Sequence, residues 1–149
     1  MLKESSLRRR VKRLIKDAKD TYNSDVHVSW VESHDTSIGI PDLNYCSGRV
    51  EGWLELKAGP DIEVRASQVR WMKDRIKAGG HPLFLIEWGN MFLIIPGSAA
   101  SDLRLNPCLE NALRLASSVW HDELPTVGLL RAMRAPKKEY GHIHIDEYA

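Results

Sequence analysis

The chain has 149 residues, is 43% hydrophobic and 28% charged, and carries a net charge of +1. Those values describe a globular chain of single-domain size with room for a core, and they exclude a collagen-like, disordered or disulfide-stapled chain. No apolar run reaches the ~20 residues of a membrane-spanning helix and none follows the basic N-terminus as in a secretory signal, so an intracellular protein with free thiols at Cys46 and Cys108 is expected.

Leu7, Val11, Leu14, Ile15 and Ala18 recur at helical spacing and predict an amphipathic helix over about residues 3–20. Its polar side carries Arg8, Arg9, Lys12, Arg13 and Lys16, and residues 1–19 hold only Glu4 and Asp17 as acids. A basic arm on a nearly neutral chain suits a protein that meets nucleic acid on one side, although a solvated helix face has the same composition. Glu4 lies on the apolar stripe one turn before Leu7. It has two readings: a member of an acidic cluster, or a stabiliser of the positive helix N-terminus.

Val26 to Val31 alternates as a strand does, and the polar segment Glu32 to Ser37 leads to a turn at Gly39-Ile40-Pro41. A short strand over Asp42–Cys46, a turn at Ser47-Gly48-Arg49 and a strand over Val50–Ala58 predict a hairpin, ended by Gly59-Pro60. Residues 67–78 read as a helix closed by Gly79-Gly80. Pro82–Trp88 and Met91–Ile95 are near-continuous apolar runs joined by Gly89-Asn90, as in strands covered on both faces. Pro107 to Trp120 reads as a further helix, and a short helix around Val127–Met133 precedes a polar tail. His142 and His144 alternate with Ile143 and Ile145 and suggest a late edge strand, at a subunit contact rather than a metal site. This order predicts an α/β fold, a central mixed sheet flanked by helices.

The chemistry concentrates in Gly39-Ile40-Pro41-Asp42 and Glu55-Leu56-Lys57. On a strand, Glu55 and Lys57 share one face and Leu56 takes the other. Converging carboxylates repel unless one is protonated or a cation lies between them. Mg²⁺ suits such an oxygen cluster, because it takes one or two carboxylates and keeps the rest of its sphere for water and phosphate oxygens. A lysine beside it holds the attacking water or stabilises charge on a phosphate in flight. Taken singly, Asp42 also reads as a turn acid, and Glu55 with Lys57 as a surface ion pair. Glu51 shares the face of Glu55 and reads as a solvated hairpin acid, with a fallback ligand as the alternative; Glu32, His34 and Asp35 precede the turn within reach of the cluster, and His34 reads first as a solvated loop residue.

Asp42, then Glu55-Leu56-Lys57, then Gln68 opening a helix that ends in Gly79-Gly80, resembles the PD-(D/E)XK nuclease superfamily. More narrowly, the pattern resembles the virus-type replication-repair nucleases, the VRR-NUC group, over roughly residues 1–95. The resemblance implies a restriction-endonuclease-like core over residues 1–120, with residues 121–149 as an extension available for oligomer or DNA contact. It implies Asp42, Glu55, the Leu56 carbonyl and Glu4 as ligands of Mg²⁺, or of Mn²⁺ in its place. It gives Lys57 a positioning role at the attacking water and places Gln68 beside the site. It implies DNA as substrate, a homodimer or higher homo-oligomer, no organic cofactor, and a phage or mobile-element setting.

Contacts to the DNA backbone are expected from Arg8, Arg9, Lys12, Arg13 and Lys16 on the first helix and from Arg65, Arg70 and Lys73 at the glutamine helix. Trp71 reads as a packing residue with a stacking role as the alternative. Neither a recognition-helix signature nor a zinc finger is present, which favours reading of DNA shape over base sequence. The leading expectation is a metal-dependent endonuclease acting on branched DNA such as Holliday junctions. The alternatives are a site-specific homing or restriction-like endonuclease, and a DNA-binding module that keeps the fold without the activity.

Overall fold

The computed structural model describes residues 2–32 and 38–135. The loop residues His34 and Asp35 and the alternating His142 and His144 lie outside them. The described elements run α1 (Leu2–Asp20), β1 (Val26–Trp30), β2 (Leu43–Ser47), β3 (Val50–Ala58), α2 (Ala66–Lys77), β4 (Pro82–Trp88), β5 (Met91–Pro96), a 3-10 turn (Gly97–Ala99), α3 (Ala100–Leu105), α4 (Leu109–Leu115), β6 (Ser118–His121) and a last helix, α5, over residues 126–135.

The strands lie in chain order in one six-stranded sheet, β1 through β6. Every neighbouring pair is antiparallel except β3 and β4, which are parallel. A parallel pair needs a crossover, and α2 supplies it. The expected α/β class, a mixed sheet with helices on both faces, is what the chain forms. No described helix is long and apolar enough to cross a membrane.

Each face of the sheet has its own apolar core. Leu7, Val11, Leu14, Ile15 and Ala18 of α1 pack with Leu129, Leu130 and Met133 of α5 onto Leu43, Tyr45, Leu54, Leu56, Leu85 and Ile94. On the other face Val69 and Met72 of α2, Leu103 of α3 and Ala112 of α4 meet Phe84, Ile86, Leu93 and Ile95. The predicted stripe of the first helix is thus its buried stripe. Tyr45 reaches across the first core to donate its hydroxyl to the Met133 carbonyl at 2.9 Å, and burial pushes that hydroxyl's pKa up. Gly52 makes room for the phenol, since a Cβ there would collide with the Tyr45 hydroxyl.

The helix expected over Pro107–Trp120 is corrected. α4 ends at Leu115, Ala116 is extended, and Ser118–His121 pairs with β5 as an edge strand. The Ser117 amide donates to the Ile94 carbonyl at 2.8 Å, so the pairing partner outcompetes another helical turn. α3 precedes it, unforeseen. Its turn into α4 is held by Asn111, which donates to the Asp102 and Asn106 carbonyls, and by an Arg114–Asp102 ion pair at 2.7 Å.

Candidate active site

The site begins where the β2 ladder ends. Leu43 pairs with Leu54, so Asp42, one residue earlier, stands opposite Glu55. The Asp42 carbonyl accepts the Val31 amide at 2.8 Å, and its carboxylate accepts the Leu56 amide at 2.7 Å. The carboxylate thereby takes an amide that the ended ladder leaves without a carbonyl, which locks its direction. Its second oxygen accepts from Arg8 of α1 at 3.1 Å.

Gly39 brings this loop against the helix on the other side. Its φ of +79° is in the left-handed region, and a Cβ would collide with the Ser67 carbonyl at the start of α2. Only glycine meets both demands without cost. The segment 39–42 is therefore a docking surface for the first turn of α2 as well as the carrier of Asp42.

Glu55 and Lys57, on the α2 face of β3, are 6% and 7% exposed and Gln68 of α2 is 3% exposed, while Leu56 enters the α1 core. Gln68 joins the three. Its Nε2 donates to Glu55 Oε2 at 2.9 Å, and its Oε1 accepts from Lys57 Nζ and from the Arg65 amide, each at 3.0 Å. Two donors on one side and a carboxyl on the other determine which way the amide lies. The Arg65 bond also satisfies an open N–H at the start of α2, the N3 half of a capping box. No buried side-chain polar atom among the described residues lacks a partner.

The charge balance is uneven. Lys57 Nζ lies 3.4 Å from Glu55 Oε2 and favours its ionisation. Burial and the facing Asp42 carboxylate outweigh that attraction and push the Glu55 pKa up to about 8. The pair opens into a cavity of about 280 Å³ lined by Glu4, Asp42, Glu55, Lys57, Asp61 and Arg65, among others. Glu63 lines it too, so five acids meet two cations. A divalent cation fits this donor set, because it stabilises the ionised Glu55 against both its burial and the repulsion from Asp42. The described residues contain no group of three acidic, histidine or cysteine side chains placed to hold a metal. Glu4, exposed in the first turn of α1, lines the same cavity.

The expected DNA contacts divide. Arg8 is drawn inward: it pairs with Asp42 and lies 4.9 Å from the Trp30 ring centre. Lys12 stacks on the same ring at 5.1 Å, and Lys16 pairs with Asp20 at 2.6 Å. Arg9, Arg13, Arg70 and Lys73 are exposed, and Arg65 lines the cavity. Glu51 and Glu32 are exposed and outside the cavity lining. Sequence reasoning missed Asp61 and Glu63. Their signal was present in the alternation Asp61-Ile62-Glu63-Val64, where Ile62 and Val64 are buried and the acids face out.

No protein-family model and no curated protein matches the chain. Among solved structures, the chain is similar to Hjc of Archaeoglobus fulgidus, described as a Holliday junction resolvase from an archaeal hyperthermophile. The identity is 15%, over 58% of this chain and 77% of that one, with a TM-score of 0.42.

Proposed function

We propose that this chain is a metal-dependent endodeoxyribonuclease of the PD-(D/E)XK kind, nearest in pattern to the virus-type replication-repair group. One observation carries the reading. Asp42, Glu55 and Lys57 line one acidic cavity, with the ammonium of Lys57 beside the carboxyl of Glu55 and the buried Gln68 bridging the two from behind. Isolated surface pairs do not explain three polar side chains buried together and fully hydrogen-bonded.

Asp42 and Glu55 would hold Mg²⁺ or Mn²⁺, with the Leu56 carbonyl as a further candidate ligand. Once bound, the ion supplies Lewis-acid polarisation of a phosphate oxygen and a water of lowered pKa. Leu56 and Arg8 aim the Asp42 carboxylate through their hydrogen bonds. Gln68 holds Glu55 and Lys57 through the two ends of its side-chain amide, so neither swings away when phosphate approaches. Lys57 donates toward the attacking water or a non-bridging phosphate oxygen and does not abstract the proton.

The substrate in this reading is branched DNA, met inside a cell by a homodimer with one site per strand. Exposed Arg9, Arg13, Arg70 and Lys73 contact phosphates without reading bases. The test is cleavage of linear, flapped, single-stranded and four-way DNA with Mg²⁺ or Mn²⁺. Metal-dependent cutting of the four-way substrate by the natural chain, and none by Asp42→Ala, is expected. A single discrete cut in long linear DNA would favour a site-specific endonuclease. Cutting retained in Asp42→Ala would end the reading.

A further inference from the structure

A second cluster lies on the same sheet face as Glu55 and Lys57. Trp53 of β3 and Trp71 of α2 meet edge to face at 5.2 Å between ring centres. The Arg75 guanidinium lies over both, 5.4 Å from the Trp53 ring and 4.7 Å from the Trp71 ring. Its stem is held as well. The Gly79 amide donates to the Ile76 carbonyl and the Gly80 amide to the Arg75 carbonyl, closing α2 with a two-bond C-terminal cap. That cap presses Gly80 onto Arg75, where an added Cβ would come within 2.6 Å of Cγ and Cδ.

Arg75 is exposed and has no acidic partner among the described residues. Arg8, Lys16 and Arg114 each spend their charge on an aspartate. Stacking occupies the flat face of a guanidinium and leaves its N–H edge for a planar oxyanion. The position relative to the site is set by the backbone. Trp53 precedes Glu55 by two strand residues, about 7 Å. Gln68, Trp71 and Arg75 follow one another along one stripe of α2, with Arg75 about 10 Å beyond Gln68.

We infer that Arg75, laid across Trp53 and Trp71, is a preorganised contact for the phosphodiester backbone of the DNA strand that leaves the candidate active site. The inference rests on DNA being the substrate, as proposed above. Arg75 stands about 10 Å along α2 from Gln68, beyond the reach of a single hydrogen bond, so the contact falls on a phosphate other than the scissile one.

The test is binding of a four-way DNA and a duplex of equal length, by fluorescence anisotropy without divalent cation, over a range of salt. Arg75→Gln is expected to bind about fivefold more weakly near 0.15 M salt, with the log–log salt slope reduced by about 1. Arg75→Lys should keep the slope and still bind more weakly, since an ammonium lacks the fork and the stacked plane. Gly80→Ala, which displaces the arginine stem and leaves its charge, should do the same. Thermal unfolding of each variant accompanies the titration, because a purely structural arginine would lower the midpoint and leave the slope alone. Unchanged affinity and slope in Arg75→Gln, with the natural chain binding and cutting DNA, overturns the contact alone. A natural chain that binds DNA through Arg75 yet cuts none overturns the nuclease reading and supports the contact. A natural chain that binds no DNA overturns both.

Discussion

The two faces of β3 make opposite uses of one strand. Leu54 and Leu56 enter the α1 core and are almost wholly buried. Glu55 and Lys57, the alternate residues, are nearly as buried and carry charge or a proton on the α2 face. Apolar burial stabilises the first face by about 25 cal/mol per Å² removed from water. The second face loses hydration and recovers part of it through the Glu55–Lys57 ion pair and the hydrogen bonds of Gln68. The contrast teaches that one face of this strand holds the fold and the other is held by it.

That division can be broken from either side. The largest expected effect is on chemistry. Asp42→Ala or Glu55→Gln should lower metal-dependent cleavage on the order of 10³-fold, about 4 kcal/mol of barrier, while DNA binding persists. Single-turnover kinetics with a matched binding titration measure both. On the apolar face, Leu54→Ala should cost about 2–5 kcal/mol of stability in denaturant unfolding, with activity per folded molecule retained. If Leu54→Ala instead abolished cleavage in a fully folded protein, the two faces would not be separable.

Gln68→Ala should remove the bridge while leaving Asp42, Glu55 and Lys57 in place. It orphans the Arg65 amide and one side each of Glu55 and Lys57, so a loss of about 1–3 kcal/mol is expected in the unfolding free energy. Cleavage should fall less than in Glu55→Gln. An equal fall would make Gln68 a participant in the chemistry and not a positioning residue.

The pH dependence sharpens the comparison furthest. The folded Glu55 carboxyl holds its proton up to about 8, whereas its ordinary value is 4.5. Between those values the unfolded chain binds fewer protons at this group, so its contribution to stability falls as pH rises. The steepest slope expected from one group is about 1.4 kcal/mol per pH unit. Unfolding of the metal-free protein across that window should show it, and Glu55→Gln should remove it. Mg²⁺ or Mn²⁺ should flatten it in the natural chain, because a bound cation stabilises the ionised carboxylate. No difference between Glu55→Gln and the natural chain would mean that Glu55 is not the buried acid described.

Legibility followed the range of the interactions. The Leu7–Ala18 stripe, the hairpin at Ser47-Gly48-Arg49 and the helix closed by Gly79-Gly80 were readable because each depends on neighbours in the chain. The alternation of Glu55, Leu56 and Lys57 was readable for the same reason. The strand at Ser118–His121 was not, since its state is decided by β5, about 25 residues earlier in the chain. Arg8 looked like one of several solvated cations; its pairing with Asp42 depends on α1 crossing near the end of β2. Arg75 was unreadable as a special cation until Trp53 and Trp71 came together beneath it.

Residue order alone established the periodicities, the turn glycines and prolines, and which side chains of β3 share a face, because backbone geometry imposes these locally. Only the folded chain decided that α1 and α2, on opposite faces of the sheet, both lead to the cavity at Asp42 and Glu55. The physical reason is burial. A carboxyl becomes a poised acid or a ligand when distant segments remove its water and leave it a limited set of partners, and no local pattern encodes which segments those will be.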